Sequence, residues 1–212
     1  MKRLIASLLV IIITLTYTCS FAETEIQLPG GLEFGMELEK AVAISGFKQQ
    51  VGNSYYSAVL EQYGFDNTYI SGDGTIGGIE THIYGHFVDG KLKRIEYELK
   101  GEDKEALFKT VYEALETKYG TPLEEEKSTH QFSPFKSLLY KDNGYVYTYF
   151  PTVNNISTWA VDVAENSRIY IDTFSGTLMG SGNWLFTRDE VSVSYTYYDF
   201  RIDGTVNTDV SF

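Results

Sequence analysis

The chain has 212 residues, 29 acidic against 17 basic, for a net charge of −12. That surplus repels phosphate backbones and anionic headgroups, which excludes nucleic-acid binding. At 43% hydrophobic residues with one cysteine, the chain reads as a globular domain held by its core and not by disulfides.

The first element is "MKRLIASLLVIIITLTYTCSFAETE". Lys2 and Arg3 precede an apolar run from Leu4 to Leu15, too short for a membrane span of roughly 20 residues and suited to a secretory signal. Ser20 and Ala22 are small residues at −3 and −1 of a cleavage site before Glu23. Residues 1–22 are thus expected to be a signal peptide and 23–212 an exported domain, secreted or placed in the periplasm or cell envelope. Cys19 offers a rival reading as a lipid anchor, but the bulky Tyr17 fits a lipoprotein signal poorly. Without lipidation the mature chain has no cysteine. It would keep 190 residues, 15 basic and 29 acidic, a net charge of −14. A chain of that size buries roughly 70% of its unfolded surface and needs no staples.

"LEFGMELEKAVAISGF" follows, with Leu38, Ala41, Val42 and Ser45 at helical spacing and Gly46 at the stop position. The spacing predicts a helix of about three turns. "NSYYSAVLEQYGFDNTYI" is ambiguous between strand and helix, and "SGDGTIGG" reads as a glycine loop. "GIETHIYGHFVDGKLKRIEYEL" predicts a hairpin about Asp89-Gly90. A strict two-residue turn would set Ile83 against Glu96. One extra residue, in a longer loop or a bulge near Lys93, sets Ile83 against Tyr97, His82 against Glu98 and Tyr84 against Glu96.

"GEDKEALFKTVYEALETKYGTP" predicts the clearest helix. Leu107, Phe108, Val111, Tyr112, Leu115 and Tyr119 form its apolar stripe, Asp103 its cap, and Gly120 and Pro122 its stop. Then come strand-like stretches: "SLLYKD", "YVYTYF", "STWAVDVA", "RIYIDTF", "NWLFT" and "EVSVSYTYYDF". The order predicts an α+β fold, an antiparallel sheet packed against a short N-terminal helix and one long helix, with a strand-rich C-terminal half. A single domain over 23–212 is expected. The alternative is a helix/sheet module over 23–122 and a β-rich module over 135–212, divided at the polar Leu123–Pro134 segment.

His82 and His86 would share one helix face, a frequent metal grip. The alternation and the Asp-Gly turn favour a strand, where four residues span about 13 Å. Zinc holds each nitrogen at about 2.0–2.1 Å, so the pair cannot share an ion. Arg94, near His86, also opposes a cation. His82 beside Glu80 and Glu98 is less hostile, yet such a trio more often forms a solvated sheet face. No metal and no cofactor are expected.

Gly72-Asp73-Gly74-Thr75-Ile76-Gly77 matches a dinucleotide pattern, but a strand follows where a helix is needed, and Asp73 has the wrong sign. Ser181 lies in "MGSGN", which lacks the first glycine of a nucleophile elbow. His130 reads as a loop residue, and "GDGT" lacks the spaced oxygens of a calcium loop. No catalytic residue is assigned. Asn155-Ile156-Ser157 is a glycosylation sequon, relevant only in a eukaryotic secretory host.

Tyrosine stands out, at 17 residues. Tyr145, Tyr147 and Tyr149 line one face of "YVYTYF". They read either as an adhesive surface for a protein or glycan, or as ordinary strand formers.

"LEFGMELEKAVAISGF" resembles the opening of small exported α/β modules, including the β-lactamase-inhibitor-protein-like fold and the small lipoprotein of the outer-membrane assembly machinery. "HFVDGKLKRIEYEL" is similar to their hairpin, and "YEALETKYGTP" to the helix end that follows. "NWLFTRDEVSVSYTY" is similar to the Trp-containing final hairpin of related secreted proteins. The resemblance covers most of Leu32 to Pro122. It implies a helix pair on a curved sheet whose open face binds proteins, and no catalysis. The inhibitor's disulfides are absent, and no inhibitory loop residue matches.

The sequence thus leads to an exported, non-enzymatic protein-binding or envelope-assembly module. Its expected binding residues are His82, Tyr84, His86, Tyr145, Tyr147 and Tyr149, its expected partner a protein or glycan of the cell envelope. The rivals are an extracytoplasmic hydrolase using carboxylates with His130 or His82, and a purely structural envelope protein.

Overall fold

The structure, a computed structural model, describes residues 26–52, 60–61, 64–123, 138–142, 145–181 and 185–201; it describes the backbone alone over 138–154 and 178–188. The expected signal peptide, Cys19, His130 and residues 124–134 of the polar segment lie outside the described residues.

The helix of "LEFGMELEKAVAISGF" is α1, Leu38–Ser45, shorter than expected, ended by Gly46 at φ 69°. Ahead of it Pro29–Gly31 form a 3-10 turn. Strand β1 is Lys48–Val51, β2 Thr68–Ile76, β3 Ile79–Val88 and β4 Lys91–Leu99. Helix α2 is Lys104–Tyr119. Then come β5 Leu138–Asp142, β6 Tyr145–Ala164, β7 Ser167–Ser181 and β8 Leu185–Asp199. All pair antiparallel in one sheet of order β1-β2-β3-β4-β8-β7-β6-β5, an α+β fold. Strand β8 is inserted beside β4, so the N- and C-terminal halves share a sheet. Among the described residues no helix is long and apolar enough to cross a membrane.

The hairpin settles its register as the alternation demands. Asp89 and Gly90 have φ 52° and 74°, both positive, as a two-residue I′ turn requires. Val88 pairs with Lys91, and the pairing jumps between Phe87↔Leu92 and His86↔Arg94, so Lys93 is the extra residue of a bulge. Beyond it Ile83 faces Tyr97, Tyr84 faces Glu96 and His82 faces Glu98. Both oxygens of the Asp66 carboxylate cap this turn, accepting from Asp89 N at 3.1 Å and Gly90 N at 2.7 Å.

Two expectations change. The "SGDGTIGG" stretch is not a loop: β2 runs through Ile76, and only Gly77-Gly78 turn. A side chain at Gly72 would strike the Phe47 ring 2.4 Å from its Cβ position, so glycine lets α1's exit pack on the sheet. Second, "YVYTYF" and "STWAVDVA" join in the 20-residue β6, whose bulges at 153/155 and 162/164 absorb the mismatch between their patterns.

Helices α1 and α2 cover one face. Helix α1 rests on β4, and α2 lies across β6, β7 and β8. Between them and the sheet are Ile70, Ile83, Leu92, Ile95, Leu99, Trp159, Ile171, Val191 and Val193, all at or below 1% exposure. Val111 and Leu115 are the buried members of α2's stripe. Asp103 accepts from Ala106 N at 2.9 Å as its N-cap. Asp103→Ala is expected to cost about 1 kcal/mol, measured as the shift in urea midpoint.

Candidate functional site

Alternation along β2, β3, β4, β8 and β7 builds the second, polar face of the sheet. One row across it is Tyr69, His86, Arg94, Thr196 and Tyr170. The next is Ser71, Tyr84, Glu96, Ser194, Asp172 and Thr158, and a third is Asp73, His82, Glu98, Ser192 and Phe174. These rows divide into a wet end and a buried centre.

At the wet end, His82 and Asp73 keep 33% and 70% of their side-chain area exposed. His82 Nδ1 lies 3.0 Å from Asp73 Oδ1, and Lys100 Nζ donates to the same oxygen at 2.6 Å. The His82 bond, then the Lys100 ammonium, hold the Asp73 carboxyl at about 2, so it stays ionised. The Tyr84 hydroxyl donates to Glu98 Oε2 at 3.2 Å. Rings of His82 and Tyr84 meet edge-on at 4.8 Å, and those of Tyr84 and Tyr69 lie at 6.3 Å.

His86 belongs to the other environment. It is 4% exposed, between Phe65 at 5.1 Å, Tyr69 at 6.2 Å and Tyr84 at 6.3 Å. Burial, then the neighbouring Arg94 guanidinium, lower its pKa to about 3. The 3.9 Å approach of its Nε2 to Glu96 Oε2 is therefore a contact of a neutral ring and not an ion pair. Arg94, 3% exposed, donates from Nη2 to Glu96 Oε2 at 3.0 Å. Beyond it Ser192, Ser194, Thr196, Asp172 and Thr158 are all buried, with Thr158 Oγ1 donating to Asp172 Oδ1 at 2.7 Å.

Of the six expected binding residues, the structure brings His82, Tyr84 and His86 together on β3, with only the first two reaching solvent. His82 and His86 lie two positions apart on one strand face with Tyr84 between them, not side by side on a helix. The backbones of Tyr145, Tyr147 and Tyr149 pair with Asp142, Tyr140 and Leu138. Three strands, β4, β8 and β7, separate them from β3, and their side chains lie outside the described residues. Asn155 of the sequon is exposed.

Sequence reading missed the buried half of this face. "EVSVSYTYYD" carries the signal: Ser192, Ser194 and Thr196 alternate with Val191, Val193 and Tyr195. Alternation separates the faces but does not say that the polar one is also covered. Among the described residues no group of three His, Cys, Asp or Glu side chains could hold a metal ion. No family model matches the chain, and no curated protein or solved structure matches it.

Proposed function

We propose that the chain is an exported, non-enzymatic module that binds a protein or glycan of the cell envelope through the polar face of its sheet. The observation that carries this reading is the part-exposure of His82, Tyr84 and Tyr69 at the wet end of that face, which neither α1 nor α2 covers. The His82–Tyr84–Tyr69 ring ladder therefore keeps part of its surface for a partner. Tyrosine rings give contact area at low entropic cost, and Asp73, Glu98 and Lys100 ring them with charge. The resemblance of Leu32–Pro122 to small exported α/β modules supports the same reading.

The test is recovery from envelope extract on the immobilised chain, compared between wild type and a His82→Ala, Tyr84→Ala double variant with an unchanged melting temperature. A species retained by the first and lost by the second is expected. Equal recovery by both rejects this surface.

One contact favours the hydrolase alternative. Asp73 fixes the Nδ1 side of His82, as a general base is commonly oriented. Lys100, sharing that carboxylate, weakens its support of an imidazolium. Hydrolysis of a chromogenic ester or glycoside that disappears in His82→Gln would establish this alternative and displace the binding module.

A further inference from the structure

The polar face is held shut at one end by a small second cluster. Leu60 and Phe65 are buried there, with Tyr69, Val88 and Tyr198 packed around them. Phe65 N donates to Leu60 O at 2.9 Å, and Asp66 N to Phe87 O at 2.8 Å. The Phe65 ring lies on the imidazole of His86. A histidine is an unusual floor for an apolar clamp, because an imidazolium there must shed its water.

We infer that proton uptake by His86 releases the Phe65–Asn67 stretch from the polar face, so that this contact is an acid-opened clamp. The groups facing His86 decide the sign. The rings of Phe65, Tyr69 and Tyr84 lie against it and supply no counter-charge near neutral pH. Arg94, directly across the β3–β4 pair, repels an imidazolium. Glu96 attracts one, but its Oε2 is 3.9 Å away and already receives the Arg94 guanidinium. His86 Nδ1 is buried with no hydrogen-bond partner among the described residues, so a proton added there has no acceptor. Opening returns water to the ring and raises its proton affinity toward the ordinary value of 6.5, less the repulsion of Arg94, which stays in place on β4, while the closed state resists until about 3. Closure is thus complete above 6.5 and weakens as pH falls below it.

Hydrogen exchange of the Phe65 and Asp66 amides reads the opening. After correction for intrinsic exchange, their opening constant is expected to rise several-fold from pH 7.5 to pH 5, with about thirtyfold the limit set by an open-state value of 6.5. In His86→Gln, which keeps polarity without the proton, the rise should shrink below twofold; His86→Phe serves if that variant folds poorly.

A rise of the same size in the glutamine variant overturns the inference, as does a flat wild-type profile. An equal rise at the amides of β7 and β8 would mean loss of the whole fold, and also overturns it. The ring resonance gives a readout that needs no variant. A His86 imidazole titrating near 6.5 with the clamp amides still protected is incompatible with the proposal.

Discussion

Replacing Trp159 with Ala is expected to destabilise the fold by about 3–5 kcal/mol, seen as a lower urea midpoint at unchanged slope. Trp159 is 1% exposed on β6, and its ring meets that of Tyr112 of α2 at 5.5 Å, tilted by 60°. Its indole Nε1 also donates to Gly120 O at 2.7 Å, the residue that ends α2. One side chain therefore supplies apolar area, an aromatic contact and the anchor for a helix end. Leu123 N donating to Thr158 O at 2.7 Å ties the chain after the helix to the same place on β6. Trp159→Phe separates the parts: the ring stays, the Gly120 carbonyl loses its donor, and the loss should be about 1–2 kcal/mol. A cost below about 1 kcal/mol for the alanine variant would mean that α2 is not held to the sheet at this point.

How far the sequence announced this differs between elements. The stripe of α2, its Asp103 cap and its Gly120 stop all follow from spacing, because a long amphipathic helix repeats its signal over several turns. The bulge at Lys93 was legible for a different reason. Ile83 and Tyr97 must share the helix-covered face, and a one-residue slip would put Glu96 there. Gly72 and Gly74 misled because glycine lowers strand propensity, whereas at Gly72 the cause is tertiary: Phe47 occupies the space of the missing side chain. Strand order was not legible. Nothing local tells β8 to insert beside β4, and that pairing places Ser194 and Thr196 next to Glu96 and Arg94. The candidate site was visible as the alternating His82, Tyr84 and His86. The division into a wet His82 and a buried His86 depends on Phe65, which lies 21 positions earlier in the chain.

The Arg94–Glu96 pair should respond asymmetrically to removal of its two members. Glu96 keeps 23% of its side-chain area exposed, and Arg94 3%. In Arg94→Met the remaining carboxylate can turn toward water, and the cation that opposes protonation of His86 is gone. In Glu96→Met a guanidinium stays in the buried centre of the face without the carboxylate that accepts from it at 3.0 Å. Loss of one partner of a fully buried pair costs about 3–5 kcal/mol, and replacement of both by apolar groups is often neutral. The partial exposure of Glu96 discounts the first figure. Glu96→Met is thus expected to cost about 2–3 kcal/mol and Arg94→Met about 1 kcal/mol, by urea denaturation at pH 7. The double variant should recover at least half of the Glu96→Met loss. A double variant costing as much as the sum of the two single changes would mean that the two charges do not depend on each other, and equal single costs would mean that the deeper burial of Arg94 does not set the asymmetry.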